Sequence, residues 1–183
     1  MATWLWVVIV VIAAAVVLGV LATALRARRT RQLKGRFGPE YDRVAADAPT
    51  RREAESELRE REQRREQFQL RPLDQRKADQ YRSRWQNLQA SFVDDPAGSV
   101  VEADALIRSV MKDRGYPVED FDTRAADLSV DHPDVVENYR IAHGIALQHE
   151  RGDADTESLR TALRHYRALF EELVESKQKE PVR

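Results

Sequence analysis

The sequence contains no cysteine, and this absence removes several kinds of chemistry at once. Disulfides, thiolate metal sites and cysteine nucleophiles are excluded for this chain of 183 residues. Glycine and proline are scarce, with seven of each, and neither common type of glycine-rich phosphate loop is present. We also find no catalytic motif and no internal repeat, so we expect a protein that is not an enzyme and that carries no cofactor.

The chain also lacks a strong charge of one sign. It has 30 basic and 31 acidic residues, and beyond Arg36 the two signs are intermixed. There is no polyacidic tail and no large basic face of the kind that nucleic-acid-binding proteins present. We therefore expect no nucleic-acid partner.

The first part of the chain has no charged side chain at all from Ala2 to Leu25. As a helix this run would span roughly 36 Å, enough for a hydrocarbon core of about 30 Å. A cleavable signal peptide places positive charge before a shorter apolar segment, whereas here no basic residue precedes the run. We predict an uncleaved transmembrane anchor over residues 2–25. The alternatives are a signal cleaved after Ala22-Thr23-Ala24, which imitates a cleavage site, and a buried core helix.

A cluster of basic residues follows the apolar run immediately. Its members are Arg26, Arg28, Arg29, Arg31, Lys34 and Arg36, with no acidic residue before Glu40. Basic residues beside a membrane segment stay on the cytoplasmic side. The prediction is a single-pass protein of the cell membrane, with its N-terminus outside and its body in the cytoplasm. The cluster either binds an anionic membrane surface as well or serves only as the topology signal.

Three small residues in the apolar run, Ala15, Gly19 and Thr23, are spaced four apart. Such a row lets two membrane helices approach closely. Small residues are common in membrane helices, so the pattern is a weak signal for self-association.

Two segments connect the anchor to the rest of the protein. Residues 26–50 are predicted to form a basic juxtamembrane linker, with a break at Gly35–Gly38 and a short helix that begins at Pro39. Residues 51–70 are almost entirely charged and contain i,i+4 pairs such as Glu55–Arg59, which favour a helix. Because a run of apolar a/d heptads is absent, we interpret this helix as a solvated spacer; the alternative is a weak coiled-coil partner.

Residues 71–176 show the periodicity of amphipathic helices. Tyr81, Trp85, Leu88 and Phe92 form one apolar stripe at i, i+4, i+7 and i+11. Similar stripes predict helices over 96–114, 133–150 and from about residue 156, with a short helical turn at 119–126 and a flexible tail at 177–183. The predicted fold class is all-α: a transmembrane helix, a charged spacer helix and a bundle of about four helices.

Acidic and histidine residues cluster at two predicted helix starts. Asp94 and Asp95 precede one helix, and Asp131, His132 and Asp134 lie in SVDHPD, where we expect Pro133 in the first turn of another helix. These residues could form a metal or small-ligand site if the two loops met at one end of the bundle. The simpler interpretation is helix capping. His143 and His165 are expected to be structural histidines rather than ligands.

Four phrases carry a resemblance to a known family. They are RPLDQRKADQYRSRWQNLQASFVDDP, RGYPVEDF, RAADLSVDHPDVVENYR and LRTALRHYRALFEEL, which together cover residues 71–173. The chain resembles an uncharacterised family of small bacterial proteins of the actinobacterial type, which have one N-terminal hydrophobic segment and are labelled membrane or secreted proteins. The resemblance implies a location in the bacterial envelope and brings no activity and no site residues.

These observations lead to one expected function and two alternatives. We expect a membrane-anchored helical interaction or scaffold protein whose body faces the cytoplasm and binds another protein or a second copy of itself. The first alternative is a metal- or small-ligand-binding helical domain with the Asp/His loops as its site. The second is a cleaved domain that is exported.

Overall fold

The protein is described by a computed structural model over residues 2–175, except for the side chains of Ala2, Thr3, Leu5, residues 10–13 and Ala15. Within this range the chain is all-helical, as predicted. The helices are α1 (Ala2–Phe37), α2 (Pro39–Asp47), α3 (Arg51–Glu66), α4 (Gln75–Ser91), α5 (Pro96–Arg114), α6 (Phe121–Asp131), α7 (Val136–Glu150) and α8 (Thr156–Glu175). The predicted tail at 177–183 lies outside the described residues.

The chain divides into two compact units, residues 1–58 (unit 1) and residues 59–183 (unit 2). The division falls inside α3, so the first half of this helix belongs to unit 1 and its second half to unit 2.

Helix α1 runs without interruption for 36 residues. It passes through Gly35, so the predicted break at Gly35–Gly38 is confined to Gly38, whose φ of 48° lies in the left-handed region that glycine tolerates. Pro39 then occupies the first turn of α2, where its missing N–H costs nothing. Within the described part of the chain, no helix is long and apolar enough to cross a membrane.

Unit 1 buries several apolar side chains. Leu33 and Phe37 at the end of α1 are buried, as are Tyr41 and Val44 of α2. The spacing of four along α1 places Leu33 and Phe37 on the same face of the helix. In α3, Ala54 and Leu58 are fully buried, so the first half of the charged helix does bury its few apolar residues.

Unit 2 contains a helical bundle made of α4 to α8. Helix α8 packs on α5 and α7, and α4 packs on α5. The stripe of Tyr81, Trp85, Leu88 and Phe92 is buried in the core as predicted. Helix α8 contributes the largest set: Leu159, Ala162, Leu163, Tyr166, Leu169, Phe170, Leu173 and Val174.

Aspartates cap the starts of three of these helices, and one of them, Asp95, was predicted from the sequence to do so. Asp74, Asp95 and Asp120 each accept a hydrogen bond from a backbone N–H in the first turn of α4, α5 and α6. Helix α5 ends at Gly115, whose φ of 91° no side chain would adopt easily. A Cβ at this position would also lie 2.5 Å from the carbonyl oxygen of Gln69.

Helix α6 corrects the prediction between α5 and α7. The expected helical turn at 119–126 is instead an 11-residue helix that ends at Asp131, so between residues 71 and 175 there are five helices in place of about four. Pro133 does not open α7, which begins at Val136. A residue before proline is pushed out of the helical region, and His132 has φ −132° and ψ 52°, so α6 ends before Pro133. SVDHPD is therefore the end of a helix.

Candidate functional site

The second half of α3 is joined to α6 by three arginines. Arg61 donates from Nη1 to Ser129 Oγ at 3.1 Å, Arg64 from Nε to Asp127 Oδ1 at 2.8 Å, and Arg65 from Nε to Asp131 Oδ2 at 2.7 Å. The spacing explains why the arginines of α3 can pair with the acidic residues of α6. Positions 61, 64 and 65 share one face of α3, and positions 127 and 131 share one face of α6. We call these six residues the α3–α6 clasp. All six belong to unit 2.

The clasp is partly shielded from water, which strengthens its contacts. Asp127 is fully buried, and the burial raises the pKa of its carboxyl although Arg64 opposes the rise. Its Oδ2 has no hydrogen-bond partner among the described residues. The Arg64 side chain keeps 43% of its surface exposed. The buried carboxylate therefore depends on a cation that reaches it from the surface.

A second group of polar residues continues the clasp toward α8. Tyr116 donates its hydroxyl to Asp131 Oδ2 at 3.0 Å, and His132 Nδ1 lies 2.9 Å from Glu172 Oε1. Burial lowers the pKa of His132 although Glu172 opposes the shift, so the imidazole is held neutral. Burial also raises the pKa of the Tyr116 hydroxyl. Burial thus favours the uncharged forms of the Tyr116 hydroxyl and the His132 imidazole, which act as hydrogen-bonding elements of the core.

A third polar contact is centred on Tyr139 of α7. Its hydroxyl accepts a hydrogen bond from Arg124 Nε at 3.0 Å and donates to Asp104 Oδ1 at 3.1 Å. Phe121 stacks on the ring of His143 at a centroid distance of 3.7 Å. His143 is half-buried, and burial lowers its pKa. These contacts give His143 a packing role.

The residues of the predicted ligand loops are placed in different surroundings. Asp94 and Asp134 are exposed, Asp95 caps α5 through Gly98 N at 2.9 Å, Asp131 pairs with Arg65, and His132 contacts Glu172. Across residues 2–175 no three Asp, Glu or His side chains are grouped closely enough to hold a metal ion. The two loops therefore do not form one site in this structure.

The basic cluster after the apolar run divides into two groups. Arg26, Arg28, Arg29 and Arg31 are exposed on α1. Lys34, in contrast, lies 5.0 Å from the centroid of the Tyr41 ring and 3.8 Å from Asp42. Arg36 belongs with Lys34, since it is exposed but also interacts with another part of the chain. The basic residues nearest the apolar run are thus those that the described part of the protein leaves without acidic neighbours.

A shallow groove runs between α4 and α8. Its floor contains Trp85 and Phe170, which stack at a centroid distance of 4.7 Å, and Val174. Arg82 and Arg167 lie at its rim and are already paired with Asp79 at 2.8 Å and Glu171 at 2.6 Å, respectively. The groove has a volume of ≈ 170 Å³, which is smaller than the pockets that usually bind small molecules.

Comparison of the chain with protein-family models, with curated proteins and with solved structures gave no match. The resemblance to an uncharacterised bacterial family therefore remains a prediction from the sequence phrases.

Proposed function

We propose that the protein is anchored in the cell membrane by the first part of α1, with its helical body in the cytoplasm, where it binds another protein or a second copy of itself. The observation that carries the proposal is the exposure of apolar side chains on α1. Val16, Val17, Leu18, Val20 and Leu21 are each more than half exposed. These five side chains cover about 200° of the helix circumference, and Trp4 and Val8, which are 61% and 40% exposed, lie on the remaining side. Exposed apolar side chains therefore surround the helix.

Such a surface is unfavourable in water. A helix that is apolar on every side is normally buried in a protein core or in lipid, and a large exposed apolar surface marks a site that another apolar phase covers. The sequence supports lipid as that phase, because no charged residue lies between Ala2 and Leu25 and arginines begin directly after it. The same arginines support an orientation with the body in the cytoplasm.

The interaction role is supported by what the buried polar groups of unit 2 do. The acidic side chains of the clasp are engaged by arginines of α3, and His132 is engaged by Glu172. These groups hold helices together, which favours a structural role for them over a catalytic one. The metal-site alternative has no comparable support, since its five residues lie in separate surroundings.

Membrane fractionation tests the anchor. The double variant Leu18→Arg/Leu21→Arg brings two charges into the apolar run, where an arginine costs about 3 kcal/mol at the centre of a membrane helix and less toward its end. We expect this variant to leave the membrane fraction or to be extracted by alkaline carbonate. The matched control is Val93→Arg/Val101→Arg, which changes two exposed apolar residues of unit 2 in the same way and should remain in the membrane fraction. Equal behaviour of the two variants would contradict the anchor.

Topology is tested by fusions after Arg183. We expect a reporter that works only in the cytoplasm to be active and one that works only outside to be inactive. The reverse pattern would place the body outside the membrane, and a shortened N-terminus in an intact-mass measurement would show a cleaved signal instead.

The interaction role is tested by crosslinking intact membranes, followed by purification of the full chain. We expect a defined crosslinked species of higher mass that is absent from membranes without the protein. Recovery of the uncrosslinked monomer alone, over a range of crosslinker lengths, would contradict this part of the proposal.

A further inference from the structure

Four arginines of α1 form a compact group, which we call the arginine belt: Arg26, Arg28, Arg29 and Arg31. All four side chains are exposed, and none makes a hydrogen bond or an ion pair within the described part of the chain. Lys34, only three residues further along, already contacts Tyr41 and Asp42. The belt is therefore set apart by the structure as well as by its position after the apolar run.

The belt surrounds the helix. At about 100° per residue, the side chains of Arg26, Arg28, Arg29 and Arg31 leave the axis near 0°, 200°, 300° and 140°. The same four residues occupy only about 7.5 Å of the axis, at 1.5 Å per residue. Four guanidinium groups thus form a ring around one short section of the helix. A row along one face of the helix would instead suit a single flat partner.

The packing of unit 1 fixes where this ring lies. Thr30 donates its hydroxyl to Glu55 Oε1 at 2.6 Å, and Leu33 is buried one turn further along. The belt therefore lies between Leu25, the last residue of the uncharged run, and the buried Leu33, and only Arg31 follows the first contact of α1 with α3 at Thr30. In a membrane-anchored chain this is the level of the lipid headgroups.

We propose that the arginine belt binds the phosphate groups of anionic lipids and gathers a shell of such lipids around the anchor. A guanidinium group donates two parallel hydrogen bonds to a phosphate, and it remains charged at every physiological pH. The ring arrangement lets several lipids be bound at once, one for each direction around the helix. This inference rests on the proposed anchor and adds a ligand class to it.

The test is a lipid-selectivity measurement on the full chain reconstituted in phosphatidylcholine vesicles. Electron spin resonance of spin-labelled phosphatidylglycerol and spin-labelled phosphatidylcholine reports the lipid that is immobilised at the protein surface. We expect phosphatidylglycerol to be preferred by about fivefold or more at low salt, since one basic residue near an anionic surface contributes roughly this factor. The preference should fall as the salt concentration rises.

Two variants with the same change in charge decide whether the belt is responsible. Replacement of Arg26, Arg28, Arg29 and Arg31 by Gln should bring the preference close to one. The control replaces four exposed arginines of α3 and α4 by Gln: Arg52, Arg59, Arg76 and Arg84. It should retain the preference of the original chain.

The outcomes separate this inference from the anchor. Two results would overturn lipid binding by the belt and leave the anchor standing. In the first, lipid is immobilised without a preference for phosphatidylglycerol. In the second, the control variant loses this preference as much as the belt variant does. The complete absence of an immobilised component would overturn both.

Discussion

Helices α1 and α8 both carry many large apolar side chains, but the two helices present them differently. In α8 the apolar residues recur on one face and are buried, while Arg160, Arg164 and Arg167 are on other faces. In α1 the apolar residues follow one another directly, and Val17 and Leu18 remain 64% and 66% exposed. A helical stripe indicates that other helices of the same chain cover the apolar surface. Continuous apolar sequence without a stripe indicates that something outside the chain covers it.

The difference between α1 and α8 is tested most directly by making the same substitution in both helices. Leu169→Ala in α8 removes a fully buried side chain and should lower the free energy of unfolding by about 2–5 kcal/mol. Leu18→Ala in α1 removes an exposed one and should change it by less than about 0.5 kcal/mol. Urea unfolding of the detergent-solubilised chain, followed by circular dichroism, measures both. Comparable losses would mean that unit 2 does not depend on the stripe of α8.

Helix α3 extends the comparison to polar contacts. Its second half is held to α6 by arginines and not by an apolar stripe. Arg64→Gln leaves Asp127 buried without its cation and should lower the free energy of unfolding by about 1–3 kcal/mol. The loss in free energy of unfolding stays in this range because Arg64 is partly exposed, so solvent screens its ion pair with Asp127.

The control for the clasp is Arg84→Gln in α4, where the arginine is exposed. It should change the free energy of unfolding by no more than about 0.5 kcal/mol. Equal losses in Arg64→Gln and Arg84→Gln, measured by the same urea unfolding, would show that the clasp does not stabilise unit 2.

The buried histidines should make the stability of unit 2 depend on pH. Burial lowers the pKa of His132 from its ordinary value of 6.5, so the unfolded chain binds its proton first as the pH falls. The free energy of unfolding should therefore decrease as the pH falls through 6.5 and level off below the lowered pKa of the folded state. The raised pKa of Asp127 acts in the opposite direction, because its protonation at lower pH favours the folded state.

Replacement of the histidines isolates their part of this pH dependence. His132→Gln should reduce the slope below pH 6.5, and addition of His143→Gln should reduce it further, since burial also lowers the pKa of His143. Urea unfolding over a series of pH values gives the slopes. An unchanged slope in the double variant would contradict the role assigned to the buried imidazoles.

The smallest effect on folding is expected at the glycines of α1, where the readout is self-association. A Cβ at Gly19 or at Gly35 would have no atom within 4 Å, so Gly19→Leu and Gly35→Leu should both leave the fold of the monomer unchanged. If the small-residue row joins two copies, Gly19→Leu should weaken the dimer, whereas Gly35→Leu should not. Crosslinking in membranes compares the two, and equal dimer yields would remove this face as the contact. The side chain of Ala15, in the same row, lies outside the described residues.

The helices of unit 2 could be predicted from the sequence where a stripe and a cap coincide. Asp95 and Pro96 opened α5, Gly115 closed it, and the stripe that starts at Tyr81 identified α4; each of these signals is local. The start of α7 was predicted incorrectly because proline suits a first helical turn and also ends a helix through the residue before it. At Pro133 the second effect prevailed, and it made His132 the end of α6.

The candidate site could be predicted less well, because its contacts join distant parts of the sequence. The charged helix α3 contains i,i+4 pairs that predict a helix and lacks apolar a/d heptads, and the lack of heptads supported its interpretation as a solvated spacer. Arg64 and Arg65 instead pair with Asp127 and Asp131, which are 63 and 66 residues away. The sequence pattern within α3 or within α6 does not indicate that the two helices pair. The same limit applies to the two Asp/His loops, since only the fold determines whether distant loops meet.

The measurement that tests the central proposal most directly uses the absence of cysteine from the chain. Val17→Cys and Arg28→Cys each introduce a single thiol at a side chain that the rest of the protein leaves exposed. Both would be treated with a water-soluble maleimide in membrane vesicles that expose the cytoplasmic face. We predict that the thiol at position 28 reacts, while the thiol at position 17 is protected until detergent is added. Equal reaction of both thiols before detergent would contradict the proposal that lipid covers the first part of α1.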